Sequence, residues 1–270
     1  MKVSVASRSF SKNKFLRKLI LKNYSDVIFN DTGLTLEGND LVKFLYHSEK
    51  AIIALETIDD SLLKQLPNLK VIGKFGVGLD KIDLNSMSKH NIKLGWEPGV
   101  NCRSVSELTL SFMIQALRRL RLCQQKILDG DFNQIRGENL TNKVIGIIGC
   151  GNVGKDLITL LKPFNCKILV YDIKKDDEFY LKNKIEMTSF NFLIENSDII
   201  TLHTPLTDKT YKFIGRQEFN KMKKNAVLIN TARGKLVNEK DLFYALKTNK
   251  IDSAAVDVFF DEPPKNYELL

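Results

Sequence analysis

The stretch from residue 144 to residue 172 constrains the fold of this chain more than any other. It begins with the short apolar run Val144–Ile148, whose length and β-branched residues are typical of a strand buried on both faces. Gly149-Cys150-Gly151-Asn152-Val153-Gly154 follows at once, and Asp156–Leu161 then predicts a helix. A second strand, Lys167–Tyr171, ends at Asp172. The pattern is G-x-G-x-x-G between a strand and a helix.

Each glycine of this pattern has a physical role. Gly149 permits a tight turn, Gly151 lets a pyrophosphate approach the backbone, and Gly154 lets helix and strand pack closely. The backbone amides of Asn152 and Val153 lie at a helix N-terminus, where the helix dipole favours an anion. A dinucleotide site is therefore predicted, and a purely structural glycine turn is the alternative.

Asp172 extends this prediction to the identity of the dinucleotide. A carboxylate at the end of the second strand accepts hydrogen bonds from the adenosine ribose hydroxyls and repels a 2′-phosphate. The sequence therefore predicts NAD rather than NADP as cofactor.

Composition limits the class of protein. The 270 residues are enough for two domains, and 43% hydrophobic with 27% charged residues is ordinary for a globular protein. The net charge of +9 comes from scattered Lys and Arg, so no nucleic-acid partner is expected, although a basic cleft that attracts anionic ligands fits the same charge. No apolar segment long enough to span a membrane occurs, and no membrane partner is expected.

The four cysteines, Cys102, Cys123, Cys150 and Cys166, include no C-x-x-C pair. This spacing indicates free thiols in a reducing compartment, and hence a cytoplasmic location. No metal site is expected.

Residues 1–97 and 98–270 are predicted to form separate domains. In the first, strand and helix signals alternate, which predicts a doubly wound α/β domain with a parallel sheet. The segment Ala6–Ser9 after its first strand has no glycine, so this domain is not expected to bind the dinucleotide. Its predicted strands are Lys2–Ala6, Asp26–Phe29, Ala51–Leu55, Leu69–Phe75 and Ile92–Leu94, and its predicted helices are Lys12–Lys22, Asn39–Phe44, Asp59–Leu66 and Leu84–Lys89.

A long helix is predicted after the loop Trp96–Asn101, from Ser104 to about Leu122. Its apolar residues cover most of the helix circumference, which indicates burial on several sides, either at a subunit interface or between domains. Further strands are predicted over Asp198–Leu202, Ala226–Asn230 and Ile251–Val258, with a helix from Asn238 to Leu246.

Three polar residues near predicted strand ends are candidates for chemistry. Arg233 has the planar fork that binds a carboxylate, and a structural ion pair is the alternative. Glu262 is either an exposed turn residue or the partner of a catalytic histidine. His203 is a candidate general base, but packing near the cofactor is favoured because Pro205 follows it closely.

These motifs resemble the D-isomer-specific 2-hydroxyacid dehydrogenases, a family that includes D-3-phosphoglycerate, D-lactate and glyoxylate/hydroxypyruvate enzymes. The resemblance implies a flavodoxin-like substrate domain, a Rossmann NAD-binding domain, and hydride exchange between a D-2-hydroxy acid and its 2-oxo acid. The matching stretches, in family order, are Phe75–Asp80, Pro98–Asn101 with Val105–Glu107, Gly149–Gly154, His203–Thr207, Asn230–Gly234, and Asp257–Phe259 with Glu262-Pro263.

The resemblance also implies roles for individual residues. Arg233 binds the substrate carboxylate and polarises the carbonyl, and Glu262 pairs with the acid–base histidine. Val77 and Gly78 offer amides to the carboxylate. The nicotinamide and ribose side is lined by Asn101, His203, Thr204, Pro205, Thr231, Ala232 and Asp257, and Asn101 is implied to contact the substrate as well. A homodimer through helix 104–122 is implied as well.

One departure from the family concerns its catalytic histidine, which lies in a Pro-His segment beyond the Glu-Pro element. The given sequence ends at Leu270, and none of its histidines, His47, His90 and His203, matches that position. We therefore expect the 270 residues to bind NADH with little turnover. A corepressor-like binding protein without catalysis is the alternative function, and the substrate side chain is not specified by the sequence.

Overall fold

Two all-parallel sheets form the framework of the fold, one in each of two units. The first unit spans Met1–Asn101 and the second begins at Cys102. The computed structural model describes residues 1–264. This architecture confirms the predicted fold class, α/β with two doubly wound parallel-sheet domains.

The sheet of the first unit has the strand order β2-β1-β3-β4-β5, which reverses between β1 and β3 as in flavodoxin-like folds. Its strands are β1 (Val3–Val5), β2 (Val27–Phe29), β3 (Lys50–Ile53), β4 (Val71–Lys74) and β5 (Lys93–Gly95). Its helices are α1 (Arg8–Lys12), α2 (Lys14–Leu21), α3 (Gly38–Leu45), α4 (Asp60–Leu63) and α5 (Leu84–Lys89).

The helix predicted over Lys12–Lys22 corresponds to α2, which begins two residues later at Lys14, because a separate helix, α1, ends at Lys12. Asn13 between them is extended, and its side chain accepts hydrogen bonds from the amides of Phe15 and Leu16. Asn13 is therefore an N-cap, which starts a new helix rather than continuing one. The prediction missed α1, whose own cap is Ser7.

The sheet of the second unit has the order β11-β10-β9-β6-β7-β8, which is the Rossmann order. Its strands are β6 (Val144–Ile148), β7 (Lys167–Tyr171), β8 (Glu186–Met187), β9 (Ile199–Leu202), β10 (Val227–Asn230) and β11 (Ser253–Val256). Its helices are α6 (Cys102–Leu117), α7 (Leu120–Leu128), α8 (Asn152–Leu161), α9 (Asp177–Asn183), α10 (Phe190–Asn196), α11 (Arg216–Lys221) and α12 (Glu239–Lys247).

The central strand β6 shows why these runs form strands. Ile145 and Ile147 are buried in one hydrophobic cluster and Ile148 in another, so the strand contributes to a core on each face of the sheet. A strand with helices on both sides has no polar face, and its sequence is accordingly apolar throughout.

The helix predicted over 104–122 requires correction, because α6 ends at Leu117 and α7 starts at Leu120. Arg119 between them has a left-handed backbone, with φ of 53°. The Leu117 carbonyl accepts a hydrogen bond from the Glu138 amide, at 2.9 Å, instead of continuing the helix. A salt bridge of 2.7 Å from Arg119 to Asp252 holds the break.

Within the single chain, this region is buried on one face only, and the predicted burial at a subunit interface stays a prediction. In α6 the buried residues are Ser106, Thr109, Met113 and Leu117, which share one face, and α7 buries none of its residues. The exposed apolar side chains here are Ile114, Leu120, Leu122, Ile127, Leu128 and, in the loop after α7, Phe132.

Candidate functional site

Five consecutive strands of the second sheet present their carboxyl ends at one edge. Because β11, β10, β9, β6 and β7 are neighbours and parallel, the residues that follow them form a row. The strand order reverses between β6 and β9, and ligands of such sheets bind at that reversal. The row consists of Asp257, Thr231–Arg233, His203–Pro205, Gly149–Gly154 and Asp172.

The glycine turn after β6 combines tight packing with open space. Gly149 has a φ of +94°, and a Cβ there would lie 2.7 Å from the His203 carbonyl. A Cβ at Gly154 would lie 2.5 Å from the Gly149 oxygen. At Gly151 a Cβ would meet nothing within 4 Å. Two glycines therefore permit the fold, while Gly151 leaves its side of the turn open, as a pyrophosphate requires.

Helix α8 begins directly at this open side. Gly151 is its N-cap and has no side chain, so the first amides, those of Asn152 and Val153, receive no side-chain acceptor. The helix starts four residues earlier than the predicted Asp156. Ser106 of α6 donates to the Val153 carbonyl at 3.2 Å, which ties the start of α8 to α6. The exposed amides and the helix dipole make this end an anion site.

Asp172 is bonded to the glycine turn through its carboxylate. Oδ2 accepts from the Cys150 amide at 2.6 Å, and Oδ1 accepts from the Lys174 amide at 2.8 Å. Each carboxylate oxygen has a second lone pair, so both still have capacity for a ribose hydroxyl. Asp172 thus fixes the turn and remains available at its edge.

Cys150, inside the turn, is a structural residue. Its thiol is buried, and burial raises its pKa to about 11. Burial likewise raises the pKa of Tyr180, which contacts the Cys150 thiol. Because the thiolate is the reactive form of cysteine, Cys150 is inert at neutral pH.

An ion pair of Lys155 with Asp176 fastens the first turn of α8 to the segment after β7.

His203 is neutral at physiological pH. Its Nε2 lies 3.0 Å from the Thr201 hydroxyl, and burial lowers its pKa to about 4. A histidine with that pKa is a poor proton donor at neutral pH, which agrees with the packing role favoured from the sequence.

Thr204 supplies an unsatisfied group beside the glycine turn. Among residues 1–264 its buried Oγ1 has no hydrogen-bond partner. Its methyl group lies against Gly149, 2.9 Å from the position of an added Cβ, and Pro205 next to it is exposed. A buried hydroxyl without a partner is costly, and a bound polar ligand would satisfy it. This hydroxyl and the open face of Gly151 fit a dinucleotide.

The turn after β10 is shaped by Asn230. This buried side chain accepts from the Ala232 amide at 3.1 Å and donates to the Arg233 carbonyl at 2.8 Å. The Thr231 hydroxyl lies 3.0 Å from that of Thr109 in α6. Arg233 is partly buried and donates from Nη1 to the Ala232 carbonyl at 2.6 Å. The guanidinium is therefore held at the sheet edge.

Asp257 and Glu262 are two of the three carboxylates between β11 and residue 264. The Asp257 amide donates to the Asn230 carbonyl at 3.0 Å. Asp257 is exposed, yet desolvation by its neighbours and the nearby charge of Glu262 raise its pKa. Glu262 is exposed and accepts from the Phe259 amide at 3.1 Å.

The remaining predicted residues belong to the first unit. Val77 and Gly78 lie in the loop after β4, where the Val77 carbonyl accepts from the Trp96 indole at 3.1 Å. Asn101 is exposed at the end of this unit. His90 contacts Asp60 at 3.0 Å, and His47 packs against Tyr46.

Sequence reasoning did not assign site roles to three residues that shape this edge, namely Ser106, Thr109 and Asn230. Small polar residues three apart in a helix, as Ser106 and Thr109 are, indicate a face that meets backbone. An Asn at a strand end indicates a side-chain-bonded turn. Both signals were present in the sequence.

Residues 1–264 contain neither a membrane-spanning helix nor a metal-binding cluster. No helix in this part of the chain is long and apolar enough to cross a membrane. No group of three or more His, Cys, Asp or Glu side chains is arranged there to hold a metal ion.

Comparison with known proteins gave consistent matches. Residues 110–270 match the model described as "D-isomer specific 2-hydroxyacid dehydrogenase, NAD binding domain". D-3-phosphoglycerate dehydrogenase of Methanocaldococcus jannaschii is 37% identical over 243 residues, covering 88% of this chain and 46% of the relative. Glyoxylate reductase of Thermofilum pendens is 36% identical over 261 residues, covering 93% and 77%. The chain thus spans about half the length of the first relative.

Solved structures also match the chain over most of its length. A D-lactate dehydrogenase from Aquifex aeolicus, complexed with NAD and lactic acid, superposes with a TM-score of 0.85. The two chains are 27% identical, and the match covers 97% of this chain and 78% of the other.

Proposed function

The chain belongs to the D-isomer specific 2-hydroxyacid dehydrogenase family, and on that premise we propose that it is an NAD-dependent oxidoreductase that interconverts a D-2-hydroxy acid and its 2-oxo acid. The observation that carries the proposal is the row of strand ends in the second unit. In that row, the glycine turn leaves the first amides of α8 without side-chain acceptors, and Asp172 is hydrogen-bonded to the turn. Arg233 is held at the sheet edge in the same row.

The second unit is proposed as the cofactor domain. The pyrophosphate binds at Gly151, Asn152 and Val153, between Gly149 and Gly154, and the adenosine ribose at Asp172. NAD, when bound, supplies or accepts the hydride. His203, Thr204, Pro205, Thr231, Ala232 and Asp257 are proposed to line its nicotinamide and ribose side.

Arg233 is proposed to bind the substrate carboxylate and polarise the carbonyl. A guanidinium presents two parallel N–H donors that match a carboxylate, and its charge stabilises the oxygen on which negative charge develops. Val77, Gly78 and Asn101, in the first unit, are proposed as further substrate contacts, with residues 1–97 as the substrate domain and 98–270 as the cofactor domain.

Reduction of the ketone also requires a proton at the carbonyl oxygen. His203 does not supply it at neutral pH, because its pKa is about 4. Glu262 is proposed as the carboxylate that orients the acid–base group.

Two broader features belong to the same proposal. The chain is proposed to form a homodimer through α6 and α7, because α7 buries none of its residues although it carries four large apolar side chains. A cytoplasmic location is proposed from the cysteines, all four of which are free.

A paired assay tests the proposed function. NADH binding is measured by fluorescence titration, and NADH oxidation is followed on the same preparation with glyoxylate, hydroxypyruvate, pyruvate and 3-phosphohydroxypyruvate. We expect saturable NADH binding with low but measurable turnover of at least one 2-oxo acid, because none of the described histidines is placed as the acid–base group. Binding without any turnover would favour the corepressor-like alternative, and absence of binding would contradict the cofactor site as well.

A further inference from the structure

The second unit contains a polar cavity away from the row of strand ends. Its volume is about 520 Å³, within the range of small-molecule sites. Val227 begins β10, and Asp252 immediately precedes β11, so the cavity opens at the amino ends of the strands. The glycine turn and Arg233 follow the carboxyl ends. The lining residues are Leu117, Arg119, Arg136, Glu138, Asn225, Val227 and Asp252.

The charges that line this cavity are unevenly paired. Asp252 is bonded to Arg119 at 2.7 Å and Glu138 forms an ion pair with Lys143, so both carboxylates are neutralised by a cation. Arg136 is exposed, and within residues 1–264 its guanidinium makes no hydrogen bond or ion pair. The cavity therefore carries one uncompensated positive charge.

Hydrogen-bond donors accompany this charge. The Asn225 side chain lines the same cavity, and in the described part of the chain its amide is not engaged by another side chain or backbone group. Arg119 uses only Nη2 for Asp252, which leaves its other N–H groups able to donate. A planar guanidinium fork with an amide beside it matches an oxyanion such as a carboxylate or phosphate group.

The walls of the cavity are held in place. Arg119 is fixed by its left-handed backbone at the α6–α7 break and by the Asp252 salt bridge. Glu138 is held by its amide bond to the Leu117 carbonyl. Gly137 packs so closely that a Cβ would lie 2.9 Å from the Arg118 Cα. Arg136 is thus attached to a fixed segment, and ligand binding need not order the backbone.

We propose that this cavity is a second ligand site, distinct from the cofactor site, which binds a small molecule through a carboxylate or phosphate group held by Arg136, with Asn225 and Arg119 as additional donors. The proposal does not depend on the oxidoreductase activity.

The test uses inorganic phosphate and succinate as probes, titrated with and without saturating NADH. Binding is observed in ¹⁵N–¹H spectra at the Asn225 side-chain amide, whose signals are assigned with Asn225→Ala. This readout separates the cavity from the glycine turn, where anions also bind. The stronger of the two probes shows whether phosphate or carboxylate is preferred.

We expect saturable shifts of the Asn225 signals that persist with NADH bound. Arg136→Ala should weaken the binding about tenfold or more, because it removes a charge-assisted hydrogen bond. Arg136→Lys should give an intermediate affinity, since it keeps the charge and loses the fork. Lys162→Ala, which removes an exposed cation elsewhere in the unit, is the matched control and should bind like the wild type. Unshifted Asn225 signals with both probes, or equal affinity in Arg136→Ala, would overturn the proposal.

Discussion

The single residue Asp172 is expected to have both a structural and an electrostatic role. It fastens the glycine turn through the Cys150 amide. In the proposed cofactor site, its charge would also repel an adenosine 2′-phosphate. A substitution therefore changes both the order of the turn and the electrostatic preference. The loss of order in the turn weakens the binding of NADH and NADPH equally. The loss of charge changes the ratio of their dissociation constants.

Asp172→Asn tests this assignment. We expect the preference for NADH over NADPH to shrink about tenfold, because the change removes the repulsion between the carboxylate and the 2′-phosphate, and a factor of ten corresponds to about 1.4 kcal/mol. Both dissociation constants are measured by fluorescence titration. Asp177→Asn, which removes an exposed acid in α9, is the control and should leave the ratio unchanged. A wild type that binds NADPH more tightly would contradict the role of Asp172.

Arg233→Lys separates charge from geometry at the end of β10. Lysine keeps the positive charge and loses the bidentate fork, so KM for the 2-oxo acid should rise about tenfold or more while NADH binding stays constant. Steady-state kinetics beside NADH titration provide the measurement. Arg216→Lys, on the exposed start of α11, is the matched control. An unchanged KM in Arg233→Lys would mean that the arginine is structural.

The lowered pKa of His203 predicts that the stability of the fold depends on pH. Its folded pKa, about 4, lies below the ordinary value of 6.5. Between these values the unfolded chain binds a proton that the folded chain does not, so stability is lost as pH falls from 6.5 to 4. His203→Gln removes this contribution. In thermal unfolding, the decrease in Tm across that window should be smaller in the variant than in the wild type, and parallel curves would refute the assignment.

Two glycines of the strand–turn–helix element from β6 to α8 allow the structural and the cofactor-binding roles of that element to be tested separately. A methyl group at Gly154 would lie 2.5 Å from the Gly149 oxygen, so Gly154→Ala should destabilise the fold by about 1–3 kcal/mol through overpacking. Chemical unfolding measures the change.

Gly151→Ala in the same turn is the matched control for stability. Its added methyl group meets no protein atom within 4 Å, so the free energy of unfolding should change little. NADH binding should weaken markedly, because the methyl group projects where the pyrophosphate approaches the backbone. Equal stability losses in both variants would show that the two glycines do not divide these roles.

Helices and strands were predictable from the sequence wherever a single local pattern of residues determines them. The buried run Val144–Ile148 is a strand because the core on both sides requires apolar residues, and α5 matches its prediction at both ends. The break at Arg119 was not predictable, because it depends on contacts with Glu138 and Asp252, which are distant in sequence. Tertiary contacts override local helical pattern there.

In the candidate site, the glycine turn was predictable because its spacing is also a local pattern, whereas the bonds around it were not. The glycine spacing predicted a turn between β6 and a helix, and the position of Asp172 predicted an acid directly after β7, as the structure has them. The bond from Asp172 to the Cys150 amide and the unsatisfied Thr204 hydroxyl are not encoded by spacing, since they arise from the pairing of separate strands.

At the scale of the whole molecule, the exposed apolar side chains of α7 and its following loop predict the oligomeric state. Phe132 is 83% exposed and Leu128 is 73% exposed. We expect a homodimer by sedimentation equilibrium, and Leu128→Glu with Phe132→Glu should shift it to monomer, because charges in a buried interface are costly. Leu181→Glu, at an 81% exposed position of α9, is the control. A wild-type monomer would contradict the proposed interface.

The Asn230 side chain has a consequence for protein engineering. It bonds the Ala232 amide and the Arg233 carbonyl from a buried position, so the path of this turn is set by an asparagine beneath it. The backbone at 233 is then expected to keep its path when the Arg233 side chain is exchanged, although the exchange removes the hydrogen bond from Arg233 to the Ala232 carbonyl. A library restricted to that position, with Asn230 retained, would sample new substrate chemistries on an unchanged backbone.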